Sequence, residues 1–233
     1  MTLIDFLRRG IGIPQRKPTV ILLYALFASS LWKYASSPIE GSFLSGETKT
    51  ILAFILFGLI PAAIVKLVFR ENWADYGLKI GDLRSAVRWC GVLLPVFVAV
   101  AVSTGNNPTF YDVYPLNETL RPQNRPLGAT VLPSLFAVHS LFYLGYYFGW
   151  EFLLRGFVQQ GLIDSQGPVN AVLIQTVLST MLHYGNPPSE VFGAALGGLL
   201  WGFLVLRTGS IFSGMLQHAV LGIAVDALLV YRC

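Results

Sequence analysis

Five ionisable residues stand within otherwise apolar stretches in the second half of the chain: Glu151, Arg155, His183, His218 and Asp226. Hydrocarbon is a costly place for a charged group, so such residues normally face a protein interior or a water-filled cavity and mark a site. Glu151 and Arg155 are four apart in WEFLLRGF, a spacing that puts both on one helix face where they can pair. That pair either fixes helix rotation or forms part of a reactive centre. Gly156 follows directly and would let a second helix backbone come close. A turn centred near Asp164–Gly167 lies about 15 residues after Glu151 and about 16 before His183, which at 1.5 Å rise per residue predicts a similar depth on antiparallel neighbours. His218, about nine residues into the last apolar run, comes near the same level if the loop at Arg207–Gly209 is cytoplasmic.

A carboxylate and two imidazoles at one depth suit water activation. A carboxylate or imidazole in an apolar pocket can serve as general base, and the second imidazole can stabilise an oxyanion or protonate a leaving amine. Glu151, His183 and His218 could also hold a divalent metal such as zinc, although the chemistry does not require one. Other hydrolase signatures are missing: there is no HExxH and no G-x-S-x-G, and Ser213-Gly214 lacks the glycine spacing of a rhomboid serine site. His139 sits in an aromatic-rich stretch, Phe136–Trp150. It could ligate a cofactor or make an interhelical hydrogen bond, and the stretch itself could face lipid, a partner, a hydrophobic cofactor or its own bundle.

The elements that must position these residues are membrane helices. Of 233 residues 54% are hydrophobic and 12% charged, with a mean hydropathy of +0.61, whereas a soluble domain carries about 25% charged residues. Apolar runs long enough to span a bilayer fall at 18–35, 50–69, 86–103, 131–158, 168–184, 191–207 and 210–230. The expected fold is an all-α transmembrane bundle of about seven spans, with N-terminal spans and loops over 1–130 and a helical core over 131–233. Residues 2–11 read as a short interfacial helix. With the N-terminus inside, one side collects Arg8, Arg9, Arg16, Lys17, Lys66, Arg70, Lys79, Arg84, Arg88 and Arg207, and the other Lys33, Lys49, Arg121, Arg125 and Arg232. That bias predicts a cytoplasmic N-terminus, with the polar 104–130 loop on the opposite side. The net charge of +4 is therefore topological and implies no nucleic-acid partner. Cys90 and Cys233 fit neither a disulfide framework nor a metal spacing.

At these residues the sequence resembles the CAAX protease and bacteriocin-processing (Abi, CPBP) family of intramembrane proteases. The stretch Trp150–Arg155 followed by Gly156, the run Ser179–His183, His218, and the segment GGLLWGFLVLRTGSIFSGMLQHA carry the resemblance, which covers roughly residues 133–230. The family pattern is Glu-Glu-x-x-x-Arg, then Phe-x-x-x-His, then His with Asn or Asp four residues on. Here Trp150 stands for the leading Glu, Ser179 for the Phe, and Gly222 for the Asn or Asp. Asp226, eight residues after His218, could substitute for the last. The resemblance implies an intramembrane endopeptidase with Glu151 as base, His183 positioning the water, and His218 and Asp226 at the oxyanion, with Arg155 in support. It also implies lipid surroundings, a membrane protein or peptide as substrate, and a bacterial inner membrane as location. The altered motif positions leave a second reading: a non-catalytic relative serving as accessory or scaffold subunit among partner subunits of a membrane complex.

Overall fold

The computed structural model describes residues 16–35, 42–126 and 128–231. Seven long helices run through them: α1 (Arg16–Tyr34), α2 (Thr48–Phe69), α3 (Leu83–Gly105), α4, α5 (Pro168–Leu182), α6 (Pro188–Thr208) and α7 (Phe212–Tyr231). Helix α4 joins an α-helical part, Pro133–Glu151, to a π-helical part, Phe152–Gln160, and a closing α-helical turn, Gly161–Gln166. Each apolar run expected from sequence is thus a helix, and the fold is all-α. The interfacial helix expected over 2–11 lies outside the described residues, as does Cys233.

Local chemistry sets the helix ends. Proline opens α4, α5 and α6 at the first helical position, where its missing N–H would have no partner anyway. Asp82 caps α3 by accepting the Ser85 amide at 3.0 Å, satisfying one of the orphan donors of the first turn. Gly209, at φ 69°, closes α6 in the left-handed conformation that suits a glycine. Helices α2, α3, α6 and α7 are each long and apolar enough to cross a membrane. On α3, Val87, Val92, Val96, Val98, Val100 and Val102 are all exposed. Apolar surface of that extent would be unstable in water, and lipid is the solvent it fits.

Helix α4 is the axis of the bundle, and Glu151–Gln159 are buried without a break. Glycines bring its neighbours close. A Cβ on Gly149 would stand 2.6 Å from the Ala53 carbonyl oxygen, so α2 and α4 meet backbone to backbone. Gly202 of α6 lets the Gln159 amide reach its carbonyl at 2.9 Å, and Gln175 of α5 does the same at Gly198, at 2.7 Å. Gly156 is approached by a different kind of element. The backbone that comes close is the Tyr76 carbonyl, 2.9 Å from a Cβ placed there, at the end of a short 3-10 helix, Trp73–Tyr76, in the α2–α3 connection.

The aromatic stretch of α4 packs inward. His139, Tyr143, Tyr146, Tyr147 and Trp150 are buried at helical spacing, and Trp150 meets Trp32 of α1 and Phe57 of α2 edge-on at 5.6 and 5.9 Å. Val138 and Leu141, on the opposite face, are exposed. His139 is the polar member. Its Nδ1 lies 2.7 Å from Glu47 Oε1 and its Nε2 3.0 Å from Asp226 Oδ2. Thr50 donates to Glu47 Oε2 and Asn117 to Oε1, both at 2.7 Å. Two carboxylates can each accept from the ring only if the three groups together hold two protons. The cluster ties the start of α2, the 104–130 connection, α4 and α7 together in the buried interior. Replacing His139 by Ala would leave two buried carboxylates face to face, at an expected cost of about 3–5 kcal/mol. Glu118→Gln, at a side chain 71% exposed, should stay within about 0.5 kcal/mol. Thermal unfolding of both variants in detergent measures the difference; equal stabilities would refute this role for the cluster.

Candidate functional site

His183 stands one residue beyond α5, at its C-cap. The helix stops there because Gly185 (φ 94°) and the Pro187-Pro188 pair cannot continue it. Lys33, at the end of α1, donates to the carbonyls of Leu182 (3.0 Å) and Tyr184 (2.8 Å), a cation on the negative end of a helix. The ring itself is held by Ser179, whose carbonyl oxygen lies 2.7 Å from Nδ1. A carbonyl only accepts, so Nδ1 carries the proton and Nε2 of the neutral ring is an acceptor. That Nε2 faces Glu190 Oε1 at 3.8 Å.

The second imidazole is fixed from α4. Glu151 Oε1 accepts from Arg155 at 3.0 Å and from His218 Nδ1 at 2.8 Å. Glu151 and Arg155 are both fully buried, so the expected i, i+4 pair exists and each charge answers the other. The Arg155 guanidinium also lies over the Trp201 ring, 5.5 Å from its centroid, and the His218 ring sits between Trp201 (4.3 Å) and Tyr147 (4.6 Å). With Nδ1–H committed to the carboxylate, Nε2 is left for other chemistry.

Both imidazoles line one cavity of about 720 Å³, together with Glu190, Asp226, Tyr114 and Tyr147. Its remaining walls are mainly apolar, from Phe97, Leu196, Leu200 and Leu221 among others. Glu151 is not part of the lining; it stands behind His218. Asp226 reaches the same cavity, but its hydrogen bond goes to His139 and not to His218. Gly222, at the family's Asn/Asp position, has no room for a side chain, because a Cβ there would fall on the Tyr147 hydroxyl. Trp150, at the position of the leading Glu, sets its indole edge-on to His183 at 5.3 Å. A smaller cavity of about 240 Å³, walled by Lys33, Lys49, Asp112, Glu118 and Arg121, opens on the other side of His183.

Glu151, His183 and His218 do not fit a zinc centre. Glu151 Oε1 is shared by two donors, and no group of three or more His, Cys, Asp or Glu among the described residues is arranged to hold a metal. Three residues of this region carry no signal in the sequence motifs. Tyr147 reads as one of several aromatics, and Glu47 and Glu190 fall at helix ends, where a charge is unremarkable. The spacing of Glu190 from His183 across a Pro-Pro turn is the one trace that sequence alone offers.

Two stability outcomes follow. Arg155→Ala strands a buried carboxylate at an expected cost of about 3–5 kcal/mol, whereas Glu151→Gln keeps an acceptor for both Arg155 and His218 and should fold. Thermal melts in detergent compare them, and the reverse order would refute the ion-pair account. Gly222→Ala should cost about 1–3 kcal/mol by overpacking, and Tyr147→Leu in the same chain should recover part of it, as a double-mutant cycle would measure.

Residues 132–224 match the family described as type II CAAX prenyl endopeptidase Rce1-like. No curated protein and no solved structure matches the chain significantly. The matched stretch takes in α4, α5, α6 and most of α7, the helices that carry Glu151, Arg155, His183, Glu190 and His218. Over residues 132–224 this membrane protein is therefore similar to the Rce1-like family of type II CAAX prenyl endopeptidases.

Proposed function

We propose that the chain is an intramembrane endopeptidase that hydrolyses a peptide bond at the polar end of the 720 Å³ cavity. One observation carries this reading: two imidazoles, each with Nδ1 tied to a fixed acceptor, line the same buried cavity and keep Nε2 for reaction. Fixing one ring nitrogen selects the tautomer at the other, which is how a histidine is made ready as acid or base. Glu151 orients His218 and balances a second proton on it, so that His218 can hydrogen-bond a developing oxyanion or protonate the leaving amine. Arg155 keeps that carboxylate in place. The apolar walls would hold a hydrophobic chain beside the scissile bond. The matched family's name points to a prenylated peptide terminus as the substrate class.

The purified protein in detergent or liposomes should cleave a quenched fluorescent peptide ending in a farnesylated CAAX sequence. His218→Ala should lower kcat about 10²–10⁴-fold, the range for loss of a positioned acid or base, while the fold is retained. A parent chain that leaves the peptide intact would favour a scaffold role. Trp150, buried against His183 where the family pattern has a carboxylate, is the observation that supports that second reading.

The basic asymmetry of the loops supports a cytoplasmic N-terminus with the 104–130 connection on the far side. Single cysteines introduced at Asp75 and at Asn124 should then react with an impermeant maleimide from opposite faces of the membrane. Labelling of the Asp75 position from outside intact cells would reverse the topology.

A further inference from the structure

Within this proteolytic reading, on which the inference rests, we infer that Glu190 is the carboxylate that holds the attacking water, together with His183. Glu190 lies in the first turn of α6 and lines the large cavity beside His183. Its Oε1 is anchored from two directions, by the Asn186 amide at 2.9 Å and by the Tyr114 hydroxyl, so the carboxylate is a fixed group and not a mobile side chain. The side chains of His183 and Glu190 are only 13% and 15% exposed, which limits competition from bulk solvent.

The distance between them is informative. Oε1 and the His183 Nε2 are 3.8 Å apart, too far for a direct hydrogen bond. Both are acceptors, because the proton of the ring is already at Nδ1 on the Ser179 carbonyl. Oε1 is taken up by Asn186 and Tyr114, but Oε2 of the same carboxylate is buried without a partner, so one water molecule can donate one hydrogen to this carboxylate and the other to Nε2. Such a water has both hydrogens engaged and its lone pairs left for a carbonyl carbon. Glu151 cannot take this part, since it stands outside the cavity lining. The smaller polar cavity, walled in part by the 104–130 connection, also has His183 and Tyr114 in its lining.

The step balances without a further reactant. The water oxygen bonds to the peptide carbonyl carbon while one water proton passes to Nε2 of His183, and Glu190 balances the imidazolium so formed. The carbonyl oxygen becomes an oxyanion facing His218. As the C–N bond breaks, the proton on His183 goes to the leaving nitrogen. The products are a carboxyl group and an amine, the sum of the peptide and one water.

The test uses the full chain in liposomes with the farnesylated CAAX peptide. Glu190→Gln keeps an oxygen for Tyr114 and Asn186 but loses the charge, and kcat should fall at least about 100-fold with KM and melting temperature unchanged. His183→Ala combined with Glu190→Gln should be no slower than the worse single variant, because both remove the same water. Asp164→Asn, at the far exposed end of α4, should leave turnover at the parent rate. An active parent with Glu190→Gln within threefold of it would overturn the role of Glu190 and leave the proteolytic reading standing. A loss confined to KM would equally overturn it, by making Glu190 a substrate-binding group. An inactive parent would overturn both.

Discussion

Inside a membrane bundle a charge needs a partner from its own chain, and Glu151 has two. Its Oε1 takes a hydrogen bond from Arg155 along the same helix and another from His218 across to α7. The three groups are mutually dependent. Without Arg155 the carboxylate is stranded, and without the carboxylate neither the guanidinium nor the imidazole has a fixed acceptor. This contact locks α4 against α7, and the other helices arrange themselves around that axis. Trp201 of α6 covers both the guanidinium and the His218 ring, so the closure of the bundle on that side is set by the same charges.

A second buried charge cluster repeats the pattern. Glu47, His139 and Asp226 join the entry of α2, the aromatic face of α4 and the far part of α7. The two clusters pin α4 and α7 together at two levels. Between and beside them the helices are held apart by Tyr143, Tyr146 and Tyr147, and the space so kept open is the cavity that both imidazoles line. Rigid polar attachment and an unfilled apolar volume thus have one origin. Side chains that must satisfy each other cannot also collapse onto the gap. The glycines of α4 and α6 allow the complementary close approaches elsewhere, where backbones touch and no cavity forms.

The replacements at motif positions are spatially coupled. Trp150 brings bulk where the family pattern has a second carboxylate, and it packs with Trp32 and Phe57 to fill the core on that side of His183. Gly222 and Tyr147 are likewise a matched pair, since the tyrosine hydroxyl occupies the place where a side chain at 222 would begin. Ser179 contributes through its backbone carbonyl, a role indifferent to the side chain found there. Each departure in the linear pattern therefore has a neighbour that has adjusted to it. The carboxylate nearest His183 is then supplied from α6, by Glu190.

Composition and periodicity alone determined the all-α membrane bundle, because apolar runs of this length have no other stable form once backbone groups must be satisfied internally. They also determined the Glu151–Arg155 pair, since four residues on a helix is a distance fixed by geometry, and the shared depth of Glu151 with the two histidines. Rotation about each helix axis was not legible, and that is what the tertiary structure decided. Asp226 shares a helix face with His218 in sequence, yet the packing of α7 against α4 turns it to His139. Glu47 and Glu190 look like ordinary helix-end charges, yet each is held by a residue of the 104–130 connection, the buried Glu47 by Asn117 and the largely covered Glu190 by Tyr114. Which carboxylate meets which imidazole depends on packing between residues far apart in the chain, as with Glu47 and His139, and a linear spacing carries no information about that.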